Sequence, residues 1–243
     1  MEWKLRPARD MGLSARERLN SASRERSLGG LAINAAWRGL VRAYLAGAHR
    51  LRVAGRDNLP ERGPFVLIAN HASHLDALVM TSVLRGAAAR RVYALAAADT
   101  FFTSVAGSAF AAYAINALPV QRHGGGRAGM MVMRQRLRED GFVFVIFPEG
   151  TRTRTGELAP FRPGIGMLVS GTDIPVVPCW LDGALAAWPA ERKWPRPGPL
   201  TLTIGTPRRF PEATDDAAGW TAVAAACEAA VRVLREVAAH SER

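Results

Sequence analysis

Two of the five histidines in this 243-residue chain stand three positions apart, in the run Ala69-Asn70-His71-Ala72-Ser73-His74-Leu75-Asp76. The run closes on a carboxylate and directly follows the apolar stretch Phe65-Val66-Leu67-Ile68. Three readings suit it: a metal site, a catalytic base with its orienting acid, or incidental polar residues at a strand end. His71, His74 and Asp76 supply three donor groups. Their spacings, three and two, fall across a strand-to-helix turn and lack the i, i+4 pairing that sets two imidazoles on one helical face. Only His49, His123 and His240 remain as further imidazoles, so the metal reading is weak. The base reading uses H-x-x-x-x-D. If the chain turns into a helix between His71 and Asp76, the carboxylate lies about one turn along and reaches back to one ring nitrogen. It then fixes the tautomer and leaves the other nitrogen to take a proton. No serine or cysteine nucleophile is needed when the substrate brings its own hydroxyl.

Two other strand ends carry polar groups suited to an anion. Phe147-Pro148-Glu149-Gly150-Thr151-Arg152 follows an apolar run and offers backbone N–H groups at Gly150 and Thr151, a hydroxyl and a planar guanidinium. Leu118-Pro119-Val120-Gln121-Arg122 ends in a second arginine that can converge on the same anion. A fourth segment, Phe161-Arg162-Pro163-Gly164, leads into a short helix and then Ile174-Pro175-Val176-Val177-Pro178. A phosphate-suited turn in the same chain favours a base aimed at the hydroxyl of a phosphorylated substrate. His74 is then a structural neighbour.

In this order the blocks resemble the glycerolipid acyltransferase family that includes the 1-acylglycerol-3-phosphate acyltransferases. Asn70-His71-Ala-Ser73-His-Leu-Asp76 is similar to its NHxSxxD block, Ala117-Leu-Pro-Val-Gln-Arg122 to the second, Phe147-Pro-Glu-Gly-Thr-Arg152 to the third and Ile174-Pro-Val-Val-Pro178 to the fourth. The resemblance spans about Asn58 to Asp182. It implies that His71 is the base and Asp76 its partner. It also implies that Arg122, Glu149, Gly150, Thr151 and Arg152 bind the acceptor's phosphoglycerol group, with Asn70, Ser73 and Arg162 in support. Ala117, Gln121 and Pro163 depart from the usual pattern and bear on the acceptor head group more than on the reaction. The implied activity is transfer of a fatty acyl group from acyl-CoA or acyl carrier protein to a lysophospholipid, with no metal and no cofactor. The expected acceptor is 1-acyl-sn-glycerol-3-phosphate. Another lysolipid such as a lyso-ornithine lipid is the alternative, and a metal-dependent hydrolase or a non-enzymatic basic membrane-binding protein are distant ones.

Placing these residues requires strands that end in loops on one edge of a sheet. Phe65–Ala69, 91–97, 115–120, 142–147, 174–181 and 200–204 read as strands. Residues 75–84, 104–112 and 127–140 read as helices, and Trp220, Val223, Cys227, Val231 and Leu234 form the apolar stripe of another. The alternation predicts an α/β fold, a single domain with a central mixed, largely parallel sheet flanked by helices. Residues 51–243 form the expected acyltransferase domain, and 1–50 a basic amphipathic region for membrane docking. Within it, residues 28–51 read as a helix. Ile33, Trp37, Leu40, Val41, Tyr44, Leu45 and Ala48 form one stripe, and Asn34, Arg38 and Arg42 run along another face. Such a helix fits a membrane interface, while its arginines argue against spanning. The uncharged stretch 100–121 is long enough to span. Its small residues and closing Leu-Pro-Val favour a buried helix followed by a core strand.

The formal net charge is +11, and every basic residue except Lys4 and Lys193 is arginine. Residues 1–56 hold twelve Lys/Arg against four Asp/Glu. Such a balance suggests an anionic partner: nucleic acid, a membrane surface, or a phosphorylated or acidic substrate. The resemblance implies an anionic membrane surface and the phosphorylated acceptor, and no nucleic acid. The 49% hydrophobic content excludes a disordered chain. Two cysteines provide no disulfide framework, and no secretory signal pattern opens the chain. The expected location is the cytoplasmic face of the cell membrane, in peripheral or monotopic form.

Overall fold

The computed structural model describes residues 8–25, 27–97, 105–120 and 126–241. At its centre β2 (Phe65–Ala69) is buried along its whole length. It pairs in parallel with β5 (Val143–Ile146) on one side and β6 (Thr172–Asp182) on the other. β3 (Val92–Ala97) and β4 (Ala117–Val120) extend the parallel part beyond β5. Beyond β6 lie β7 (Thr201–Ile204) and β8 (Arg208–Phe210), both antiparallel to it, and β1 (Arg52–Ala54) runs parallel to β7. The result is an eight-stranded mixed sheet of order β1-β7-β6-β2-β5-β3-β4, with β8 also on β6.

Apolar runs such as Phe65-Val-Leu-Ile-Ala form central strands because both sheet faces are covered. Leu67 and Ala69 face one core with Val41, Leu45, Val79 and Met80, from α2 (Leu28–His49) and α3 (Asp76–Ser82). Val66 and Ile68 face the other, with Met133 and Leu137 of α6 (Gly126–Asp140), Leu168 of α7 (Gly164–Val169) and Val231 of α9 (Ala217–Ser241). Gly166 lets α7 approach α9 closely, since a Cβ there would lie 2.3 Å from the Trp220 carbonyl oxygen. By length and composition α9 alone among the described helices is apolar enough to cross a membrane, yet Val223, Ala224, Cys227 and Val231 seal it onto the second core.

The strands and helices expected from periodicity are present, with ends shifted by a few residues. The described part of 100–121 forms α5 (Val105–Phe110), a π-helical turn (Ala111–Ile115) and β4. This helix-then-strand order agrees with expectation, but Phe110 and Tyr113 remain 48% and 42% exposed. The short elements α1 (Ala15–Leu19), α4 (Gly86–Arg90), α8 (Ala184–Ala187), β1 and β8 are too brief to show a period.

The expected N-terminal helix is present as α2. The face carrying Asn34, Arg38 and Arg42 holds α2 to the domain through side-chain hydrogen bonds, with Asn34 buried and Arg42 still exposed. Asn34 Nδ2 donates to Ala114 O at 3.0 Å, Arg38 to Ala89 O, and Arg42 Nε to Ser82 O at 2.7 Å. Ser82 and Ala89 lie in the last turns of α3 and α4, where carbonyls lack helical partners and attract cations. Val41 and Leu45 of the apolar stripe turn inward, while Leu28, Ile33 and Leu40 stay 86%, 54% and 61% exposed. Residues 8–25 are tied down as well. The fully buried Arg136 of α6 donates to Ala22 O at 2.7 Å and Arg24 O at 3.1 Å, and Arg24 donates to Ala117 O at 2.8 Å.

Candidate active site

β2 delivers Asn70 and His71 to the carboxyl edge of the sheet. There the Asn70 side chain takes the place of a further residue pair: Nδ2 donates to Leu181 O at 3.0 Å, and Oδ1 accepts from Leu181 N at 2.8 Å. The end of β2 is thereby fixed against β6. The chain then turns into α3, whose first residue is Asp76.

Asp76 is 1% exposed and its Oδ2 gathers three donors. They are His71 Nδ1 at 2.7 Å, Ala72 N at 2.7 Å and Ser73 N at 2.8 Å. A buried carboxylate so paired holds the proton on Nδ1 and leaves Nε2 as the basic nitrogen. The imidazole stacks on Phe147 with centroids 4.1 Å apart and an interplanar angle of 15°. Ring position is therefore fixed from one edge by Asp76 and from one face by Phe147. Ser73 serves the turn: its Oγ donates to Trp188 O at 2.7 Å and accepts from Leu75 N at 3.1 Å.

β5, next to β2, delivers the third block, Phe147 to Arg152. Glu149 is 3% exposed, with Oε1 accepting from His71 N at 2.6 Å and Oε2 from Ala159 N at 2.9 Å. Both oxygens are engaged inside the protein, where Glu149 braces the two loops. Burial pushes its carboxyl pKa up, against the two backbone donors that pull it down. Gly150 has φ +75°, and a Cβ there would sit 2.8 Å from Arg162 Nε. The turn needs glycine for its left-handed backbone and for the guanidinium lying over it. Arg162 is thus brought to the site, with Arg162 N donating to Pro148 O at 2.9 Å. Thr151 is exposed at the tip.

Arg152 and His74 form a pair that sequence reasoning missed. Arg152 Nη1 lies 2.8 Å from Nδ1 and 2.9 Å from Nε2 of His74, whose Nε2 is also 3.4 Å from Ala190 O. With Nε2 donating to that carbonyl, Nδ1 is the acceptor for Arg152. Burial first, and the adjacent Arg152 second, hold the His74 pKa below the ordinary imidazole value. The same contact separates His74 from Asp76 as a ligand set, and among the described residues no group of three or more His, Cys, Asp or Glu is arranged for a metal ion. Nothing in the spacing signals this pair, because Arg152 is 78 residues beyond His74. Phe147 and Trp188 were missed for the same reason. Arg122 lies outside the described residues; β4, which leads to it, ends on the same edge of the sheet as β2.

The site is an open edge of the sheet. A cavity of about 610 Å³ lies at the amino ends of β2 and β6, where Arg62, Arg138 and Asp173 line it and no site residue does.

Residues 50–182, more than half of the chain, match the family model Acyltransferase, so this chain belongs to the acyltransferase family. Its named relatives are of the glycerolipid branch. It is 32% identical over 135 residues to 1-acyl-sn-glycerol-3-phosphate acyltransferase alpha of Homo sapiens, an overlap covering 56% of this chain and 46% of that one. It is 26% identical over 183 residues to the beta enzyme of Homo sapiens, covering 75% and 64%. The chain thus spans about half the length of the first of these relatives. The crystal structure of the 1-acyl-sn-glycerophosphate acyltransferase PlsC from Thermotoga maritima shares the fold, with a TM-score of 0.65 at 20% identity over 88% of this chain and 83% of that one.

Proposed function

We propose that the protein transfers a fatty acyl group from a thioester, on CoA or acyl carrier protein, to the free hydroxyl of 1-acyl-sn-glycerol-3-phosphate. The observation that carries the reading is the buried Asp76 carboxylate on His71 Nδ1, beside a turn that presents Arg152 and Arg162. The names of the curated relatives support the acceptor.

His71 Nε2 accepts the hydroxyl proton as the oxygen attacks the thioester carbonyl carbon. The tetrahedral intermediate collapses with cleavage of the C–S bond. The departing thiolate takes the proton back from the imidazolium, giving an ester and a free thiol. Asp76 stabilises the imidazolium, and base assistance of this kind contributes about 10²–10⁴ in rate. Arg152 and Arg162 hold the acceptor phosphate and so orient its hydroxyl toward Nε2. Arg122 joins them in this proposal.

The protein acts on a membrane-borne acceptor from the cytoplasmic face of the membrane. Ile33 and Leu40 of α2 project outward, and Phe110 and Tyr113 continue the patch. The Phe110 ring lies 5.6 Å from that of Trp37, and Tyr113 lies beside Gly30. A contiguous apolar face of this kind is suited to lie among lipid head groups.

The test is an acyl-transfer assay on purified protein, with a panel of lysolipids and both thioester donors, beside His71→Ala. Transfer to lysophosphatidate that disappears in the variant is expected. No transfer to any acceptor by folded wild-type protein would overturn the reading.

A further inference from the structure

Between α8 and β7 the chain runs through residues 188–199 without regular structure, yet its backbone is fixed at several points. Trp188 Nε1 donates to Arg192 O at 2.9 Å, and Arg196 N to Ala187 O at 2.8 Å. Further along, Gly198 N donates to Ala48 O at 3.2 Å, at the end of α2. This frame displays Trp194 at 78% exposure. A free indole on a pinned loop is costly in water, since it leaves a large apolar surface uncovered.

The neighbours of Trp194 carry one sign of charge. Arg192, Lys193 and Arg196 flank it, and Lys193 is one of only two lysines in the chain. Neither the Lys193 nor the Arg196 side chain has a hydrogen-bond or ion-pair partner among the described residues. The one nearby acid, Glu191, is engaged by Arg154 at 3.2 Å. Arg192 Nη1 donates to Ala186 O at 3.1 Å. An indole beside two unpaired cations and this anchored one matches the lipid–water boundary, where the ring sits at head-group depth and the cations meet phosphates.

The loop leaves directly from the wall of the site. Trp188 O accepts from Ser73 Oγ at 2.7 Å and from His74 N at 3.3 Å, and Ala190 O faces His74 Nε2 at 3.4 Å. Four residues further on is Trp194, a chain reach of at most about 14 Å.

We propose that the loop around Trp194 is a second membrane-contact element, separate from α2, that binds an anionic bilayer surface beside the mouth of the acceptor site. Trp194 inserts at the head groups, and Arg192, Lys193 and Arg196 pair with lipid phosphates. Contact here sets the distance between the bilayer plane and Arg152, so the acceptor's phosphate meets its site without leaving the membrane. That purpose rests on the acyltransferase reading; the contact itself does not.

The test is flotation of the full chain with vesicles of phosphatidylcholine alone or mixed with phosphatidylglycerol, without donor or acceptor. The proteins are wild type, Trp194→Ala, the double variant Lys193→Glu/Arg196→Glu, and Leu40→Ser on α2. Trp194→Ala and the double variant are each expected to bind the mixed vesicles about fivefold to tenfold more weakly. Their thermal midpoints should stay at the wild-type value, because the replaced side chains are exposed. Wild-type affinity in both loop variants overturns the proposal, whether or not Leu40→Ser weakens binding. So does intact vesicle binding combined with a selective loss of transfer from acyl carrier protein in the double variant, which would assign the loop to the acidic carrier. Absence of acyl transfer by the wild type would sink the enzymatic reading and leave this vesicle result standing.

Discussion

Glu149 accepts the backbone N–H of His71 at 2.6 Å, so the acid of one sequence block holds the base of another, 78 residues away. The second oxygen of the same carboxylate accepts from Ala159 N at 2.9 Å, which fixes the loop carrying Arg152. Glu149→Gln puts an amide N–H₂ against one of these two donors. The expected loss of stability is about 1–3 kcal/mol, read as a shift in the denaturant midpoint at unchanged slope. A fall in kcat should accompany it because His71 is displaced. Wild-type stability and rate in Glu149→Gln would show that the brace is dispensable.

Asp76 poses a sharper case, because one oxygen serves His71 Nδ1 and two backbone N–H groups together. Asp76→Asn is expected to lower kcat at least as far as the 10²–10⁴ typical of base assistance, about two orders of magnitude or more. His71→Ala should lose a similar factor while retaining the wild-type thermal midpoint more closely than Asp76→Asn. Equal stability of the two variants would argue against the turn-forming role of Asp76.

His74→Gln tests the seat of Arg152. A misplaced guanidinium weakens acceptor binding, so KM for lysophosphatidate should rise about fivefold to tenfold with kcat little changed, the signature of lost uniform binding. Arg152→Lys is expected to follow the same pattern more strongly, since an ammonium lacks the planar fork. A pure kcat defect in His74→Gln would contradict the positioning role.

The pH dependence of stability has a defined sign at His74. Its folded pKa lies below the unfolded value, which is about 6.5, because burial and Arg152 disfavour the charged ring. As pH falls below that value the unfolded chain takes up the proton first, so stability drops until the folded pKa is reached. Thermal midpoints of the wild type between pH 7 and pH 5 should fall more than those of His74→Gln. Parallel curves would remove His74 from the account.

Arg136 predicts a defect far from the chemistry. Its guanidinium is fully buried, donates to Ala22 O and Arg24 O, and lies 4.6 Å from the Phe142 ring centroid. Arg136→Met leaves those carbonyls and the carboxylates of Glu25 and Asp140 without this partner. A loss of about 3 kcal/mol is expected, with faster proteolysis inside residues 8–25. Resistance equal to wild type would mean that this segment is held by other contacts.

Much of this was legible in the sequence because it is local or periodic. Apolar runs such as Phe65–Ala69, bounded by turn-forming residues, read as central strands of a covered sheet. His71 and Asp76 are five residues apart, close enough for the turn alone to join them. The roles of His74, Glu149, Phe147 and Trp188 depend instead on which strands lie side by side. β2 lies between β5 and β6, and that order brings positions tens of residues apart into hydrogen-bond reach. The same dependence docks Arg38 and Arg42 on backbone carbonyls of the domain. Helical periodicity separates an apolar face from a polar one, but only packing decides which face meets the protein. Here the unfilled carbonyls ending α3 and α4 attract the arginines and leave Leu28, Ile33 and Leu40 outside.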